Sequence, residues 1–175
     1  MKKVLFAIPL ALALTGCGSD IDLVKGGVME FNQTTTLGKA LDNWKSCESR
    51  EWEEFETDNG IKVVQFTCQH TISQYMSKAK SLLSEEEKAK ANHLDIASNI
   101  QTFQFTINQG DTFQIDNVQV KTTWQDGTSF EDSQKPVEQL ETAYANNLNF
   151  DPAELNEMGA AQISYVFSMI KMRAK

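Results

Sequence analysis

The chain is predicted to adopt an α+β fold: an antiparallel sheet built from two helix–hairpin units, helices on one face, and a helical C-terminal tail with a possible final strand. Three observations predict it. Two pairs of strand-like segments flank tight turns, Glu51–Thr57 with Ile61–His70 about Asp58-Asn59-Gly60, and the alternating Ile100–Asn108 with Thr112–Trp124 about Gln109-Gly110-Asp111. A helix signal precedes each hairpin. Beyond residue 135 the apolar spacing becomes helical, with start signals at Pro136 and at Asp151-Pro152-Ala153-Glu154.

The first helix starts at Thr36, a good N-cap, and carries Leu37, Ala40, Leu41 and Trp44 at i, i+3, i+4 and i+7, a stripe that packs on a sheet. In the first hairpin Val64, Phe66, Cys68 and His70 share one face by the period of two, with His70 at the rim. Thr71–Leu83 fits either an extension of that strand or an early helical turn. Ser84-Glu85-Glu86-Glu87 is a capping box that starts a helix running to about Ala97, with Ala89, His93 and Ile96 on its modest apolar face. In the second hairpin Phe103, Phe105 and Ile107 point one way. On the return strand Phe113 and Ile115 have one parity and Val118, Val120 and Trp124 the other, which predicts a bulge at Asp116-Asn117. A helix from Pro136 to about Asn146 follows, then a short helix ended by Gly159. Ile163–Met172 is rich in aromatic and β-branched residues and reads as a strand, although Ile163, Val166, Phe167 and Ile170 also fit a helix face.

The N-terminus sets the address. Lys2 and Lys3 precede an apolar run, Val4–Leu14, too short to span a bilayer, and small residues precede Cys17. Leu14-Thr15-Gly16-Cys17 resembles the lipobox of bacterial lipoproteins. The resemblance implies diacylation of the Cys17 sulfur, cleavage before it and acylation of the new amine, so residues 1–16 are a cleaved signal peptide. Two or three acyl chains anchor stably where one is marginal. Gly18, rather than Asp, follows the lipid-bearing cysteine, which favours sorting to the outer membrane with the domain facing the periplasm. Residues 17–30 then read as lipidated N-terminus and tether, and residues 31–175 as a single domain.

The precursor of 175 residues carries 16 Lys+Arg and 24 Asp+Glu; residues 1–16 hold two lysines and no acid, leaving 14 against 24 and a formal charge of −10. So acidic a domain is a poor nucleic-acid binder and has no basic patch for anionic lipids, so the membrane contact is the lipid on Cys17. With Cys17 lipidated, Cys47 and Cys68 remain, and in an oxidising compartment they read as one disulfide. Neither a CxxC nor helically spaced ligands accompany His70 and His93, so no metal and no cofactor is expected. No nucleophile elbow, zincin motif, P-loop or dinucleotide fingerprint is present, and the chain is read as no enzyme.

The chain from about residue 31 to 115, with Thr34-Thr35-Thr36-Leu37-Gly38-Lys39-Ala40, Trp52, Phe55, Asp58-Asn59-Gly60 and Val63-Val64-Gln65-Phe66, resembles a domain recurring in uncharacterised bacterial envelope proteins. More loosely it is similar to BamE-like and β-lactamase-inhibitor-like folds, which serve as assembly factors or protein inhibitors. The expectation is an accessory or inhibitory lipoprotein that binds another envelope protein. Trp52 and Phe55, on opposite parities of one strand, are the candidate partner contact. The alternative is a small-ligand or lipid-binding protein with a pocket lined by Phe103, Phe105, Phe113, Phe167 and Met169. A third reading, an envelope hydrolase, would use His70 or His93.

Overall fold

The computed structural model describes residues 19–175, so the expected signal peptide 1–16 and Cys17 lie outside the described residues. The fold is α+β with two antiparallel sheets. Helix α1 (Asp20–Gly26) leads into a small two-stranded sheet, β1 (Val28–Met29) with β2 (Asn32–Thr36), and then α2 (Leu37–Asp42). A five-stranded meander follows in chain order: β3 (Cys47–Glu56), β4 (Lys62–His70), β5 (Ile96–Asn108), β6 (Thr112–Trp124) and β7 (Ser129–Ser133). Between β4 and β5 stand α3 (Ser73–Ser81), α4 (Glu85–Lys88) and a 3-10 turn at Asn92–Leu94; after β7 come α5 (Pro136–Tyr144), a second 3-10 turn at Pro152–Glu154 and α6 (Glu157–Lys171).

The register explains the core. Trp52 pairs with Phe66, Phe66 with Phe103 and Phe103 with Val118, so one row of apolar side chains crosses four strands on the inner face. Val24 of α1, Leu37 and Leu41 of α2 with the following Trp44, and Leu140 and Ala143 of α5 close over it. A second core lies at the other end of the strands, where Ile72, Met76 and Ala79 meet Leu94, Trp124, Ala160 and Phe167. The opposite face is polar. It carries an amide ladder, in which Asn117 donates to Gln104 at 3.2 Å and Gln104 donates to Gln65 at 2.8 Å, as suits a sheet solvated on one side. β3 is a sheet edge with Glu48, Glu51, Glu53, Glu54 and Glu56 exposed, and repulsion between such edges opposes strand-on-strand aggregation.

Several expectations are corrected. Residues 20–30 belong to the packed structure rather than to a tether. Ser19 and Asp22 form a capping box, and Val24 is fully buried. Thr71–Leu83 resolves as helix α3. The helix from Ser84 stops at Lys88, because Ala91 and Leu94 turn into the second core and Ile96 is already paired with Trp124 in the sheet. Ile163–Met172 is helical: Asn156, not Asp151, caps the long helix by accepting the Gly159 N–H, so Gly159 opens α6 instead of ending a helix. Spacing prevails there over β-propensity because Ile163, Phe167 and Ile170 face the second core on one side of α6. At the predicted bulge Gln104 pairs with Asn117 and Phe105 with Ile115, leaving Asp116 as the extra residue.

Cys47 and Cys68 are joined, with their Cα atoms 5.3 Å apart. Cys47 is the first residue of β3 and Cys68 lies in β4, so the bond ties the two strands of the first hairpin together.

Candidate functional site

The inner face of β4 and β5 is apolar until it approaches its end, where polar residues take inward positions. His70, at the end of β4, is only 2% exposed, and Gln101 of β5 is fully buried. Gln101 uses its amide N–H to donate to Gln139 of α5 at 2.9 Å, so its Oε1 faces His70 Nε2 at 2.8 Å and accepts a hydrogen bond from the Nε2–H. His70 Nδ1 is then the acceptor, and the Ser46 hydroxyl donates to it at 2.8 Å. Ser46 Oγ in turn accepts the Asn149 backbone N–H at 3.1 Å. Burial holds His70 below its ordinary value of 6.5, against the Gln101 side-chain oxygen and the Ser46 backbone carbonyl, which pull the other way. The ring is therefore neutral near pH 7. Trp44 and Phe150 meet it edge-on at centroid distances of 5.2 and 5.8 Å.

Two residues before Gln101 on the same face stands Asn99, 3% exposed. Its Nδ2 donates to the Thr122 hydroxyl of β6 at 2.9 Å, but Oδ1 is buried with no hydrogen-bond partner. A buried acceptor left unpaired costs about 1–3 kcal/mol. Asn99, Gln101, His70 and Thr122 border a cavity of about 340 Å³ between the sheet and the C-terminal helix, closed on the other side by Phe130, Phe150, Phe167 and Ile170. Asp132 and Arg173 also border it and are exposed; the Arg173 guanidinium lies 4.8 Å over the Phe130 ring. The result is a pocket with a neutral, amide-rich floor and aromatic flanks. A wider groove of about 570 Å³ between α1–β1 and the start of β6 is shallow and has no buried polar group on its walls.

Of the residues expected to line a pocket, Phe167 alone borders this one. Phe103 and Phe105 are consumed in the first core, Phe113 is half-buried at the other end of the sheet, and Met169 is exposed on α6. His70, expected at a rim, is part of the floor. Trp52 and Phe55 separate as their parities require. Trp52 packs on Phe66 at 4.8 Å between ring centroids, donates its Nε1–H to Asp42 at 2.7 Å and lies under the Lys25 ammonium, while Phe55 is left exposed on the polar face. His93 is a separate site, its Nε2 2.8 Å from the Ser164 hydroxyl, and burial lowers its affinity for a proton as well. Among the described residues no three His, Cys, Asp or Glu side chains are placed to share a metal ion. Sequence reading missed Asn99, Gln101, Thr122, Gln139 and Asn149. One signal was available: Asn99 and Gln101 share the parity of Phe103 and Phe105, and amides at inward positions of a strand need a partner or a ligand.

The comparison with known proteins concerns the other end of the chain. Residues 1–17 match the model of the prokaryotic membrane lipoprotein lipid attachment site. The protein is lipid-anchored through Cys17. No curated protein and no solved structure matches the chain, so nothing supports the likeness of residues 31–115 to BamE-like or β-lactamase-inhibitor-like folds. Among the described residues no helix is long and apolar enough to cross a membrane.

Proposed function

We propose that this lipoprotein is a binding protein, anchored in the outer membrane and facing the periplasm, whose domain holds a small uncharged ligand in the pocket between the sheet and α6. The observation that carries this reading is Asn99, which borders a cavity large enough for a small molecule and whose Oδ1 is a buried acceptor without a donor. A ligand that fits brings an N–H or O–H to Asn99 and an apolar flank to Phe130, Phe150 and Phe167. A full charge set against the neutral His70 and the amide floor would lose its hydration without a counter-ion, so the ligand is neutral where it meets the floor. The role is binding rather than catalysis. The Ser46 hydroxyl does approach His70 as a nucleophile approaches its base, but Ser46 does not border the cavity, and its oxygen already accepts the Asn149 N–H.

The test is Asn99→Leu, read by thermal shift against a panel of neutral saccharides, acyl amides and polyols. Removing the unpaired buried acceptor offsets the lost hydrogen bond to Thr122, so the apo protein should stay folded with a melting temperature close to wild type. The substitution should also abolish the rise in melting temperature produced by the best ligand. A variant that still responds fully to that ligand would sink the assignment of the pocket.

A second reading, an accessory protein that docks on another envelope protein, is favoured by α6. Met158, Tyr165, Met169 and Met172, spaced 7, 4 and 3 apart, fall on one helix face and are 81%, 66%, 44% and 71% exposed. A photo-crosslinker placed at Tyr165 in cells and trapping one dominant envelope protein would support that reading.

A further inference from the structure

We propose that the hairpin-tip end of the large sheet rests on the bilayer, so that the pocket and α6 are held at the end turned away from the membrane. The inference is independent of either reading of the binding site. It starts from covalent reach. The lipid is on Cys17, α1 begins at Asp20, and only Gly18 and Ser19 intervene. Ser19 is not slack, because its hydroxyl accepts the Asp22 N–H at 3.1 Å and its own N–H donates to the Asp22 carboxylate at 3.3 Å. From Ser19 to Cys17 are two Cα steps, at most about 7 Å.

Nor can α1 swing away from the fold. Val24 is fully buried, the Lys25 ammonium meets Asp42 at 2.9 Å, the Ile21 N–H donates to Glu54 at 3.2 Å, and Lys62 bridges to Asp20 at 3.0 Å. These contacts place the start of α1 beside the turn that joins β3 to β4. Asp20, Gly60, Ile61 and Gly110 border one shallow groove, so both hairpin tips surround the point where the anchored segment enters the fold. His70 is eight residues along β4 from Lys62, which at about 3.3 Å per residue is roughly 26 Å, several times what the anchor segment can span.

The chemistry of this end suits contact with a hydrated headgroup layer rather than insertion. It exposes Glu56, Asp58 and Asp111, with Phe55 and Ile61 among its exposed large apolar side chains. Acidic tips are not drawn to anionic lipid, so the acyl chains and the short link alone impose the orientation. One consequence is that the exposed methionine face of α6 is not used on the bilayer that anchors the protein.

The test uses the full lipidated protein in nanodiscs of phosphatidylethanolamine and phosphatidylglycerol, with isoleucine methyl groups labelled for NMR and a gadolinium-chelating lipid added. The expected result is loss of the Ile61 and Ile107 methyl signals while those of Ile72, Ile163 and Ile170 persist. Equal attenuation of both sets, or the reverse order, would overturn the proposal. A second variant inserts a flexible Gly/Ser segment of about 20 residues between Gly18 and Ser19, which should equalise the two sets. If the contrast survived that insertion unchanged, the short link would not be its cause and the proposal would fail.

Discussion

At the scale of single residues, the end of the inner sheet face departs from the rule that inward positions are apolar. His70, Asn99 and Gln101 stand where valine or phenylalanine stands farther along the same strands. His70 has a consequence for pH. Its folded-state affinity for a proton is below the ordinary value, so the unfolded chain takes up a proton near pH 6.5 while the folded ring does not. Stability is therefore full above that value and falls as the pH drops below it, by at most about 1.4 kcal/mol per pH unit for one histidine. His93 shifts in the same direction but is more exposed, and solvent weakens its share. Urea midpoints of the wild type should fall between pH 7.5 and 5.5, and His70→Gln should flatten most of that slope. An unchanged slope in the variant would move the effect to His93 or elsewhere.

At the scale of elements, two joints are built from small details. α1 lies close against α2 because position 38 is glycine: a Cβ there would sit 2.7 Å from the Lys25 Cβ and 3.0 Å from the Lys25 carbonyl oxygen. Gly38→Ala has opposing effects, about 1 kcal/mol gained in helix propensity against about 1–3 kcal/mol of overpacking against backbone. The steric term should win. The expected outcome is a lower urea midpoint with faster amide exchange in residues 20–26, and a midpoint equal to or above wild type would show that α1 yields freely. The other joint is the disulfide, which closes a loop with a sequence separation of 21 residues at the start of the first hairpin. Cys47→Ala with Cys68→Ala should cost about 3 kcal/mol in denaturant titration, chiefly by freeing the unfolded chain. A loss well under 1 kcal/mol would mean that the unfolded state is already compact there.

At the scale of the molecule, one sheet separates two chemistries. The hairpin tips, with α1 and the anchored segment, gather acidic side chains at one end, while the neutral pocket and the methionine face of α6 lie towards the other. The meander topology makes this separation possible, because every long strand runs the full distance between the two ends and each tip returns the chain to the same side. The nanodisc measurement belongs at this scale: it reads where the whole domain stands, and no single contact would reveal that.

The sequence by itself determined what depends on local chemistry: the lipid attachment at Cys17, the pairing of Cys47 with Cys68, the capping box at Ser84, and the bulge revealed by the parity switch between Ile115 and Val118. Tertiary structure decided whatever depends on which elements compete for the same partner. Ile163–Met172 carries strand-forming residues yet is a helix, because its i, i+4 face meets the second core. Residues 20–30 look like a tether yet pack, because glycine at 38 lets α1 approach α2. The pocket joins Asn99, Gln101 and His70 to Gln139 and Phe167 from helices far along the chain. Periodicity assigns a residue to a face, but only packing brings two faces together, and a binding site consists of that meeting.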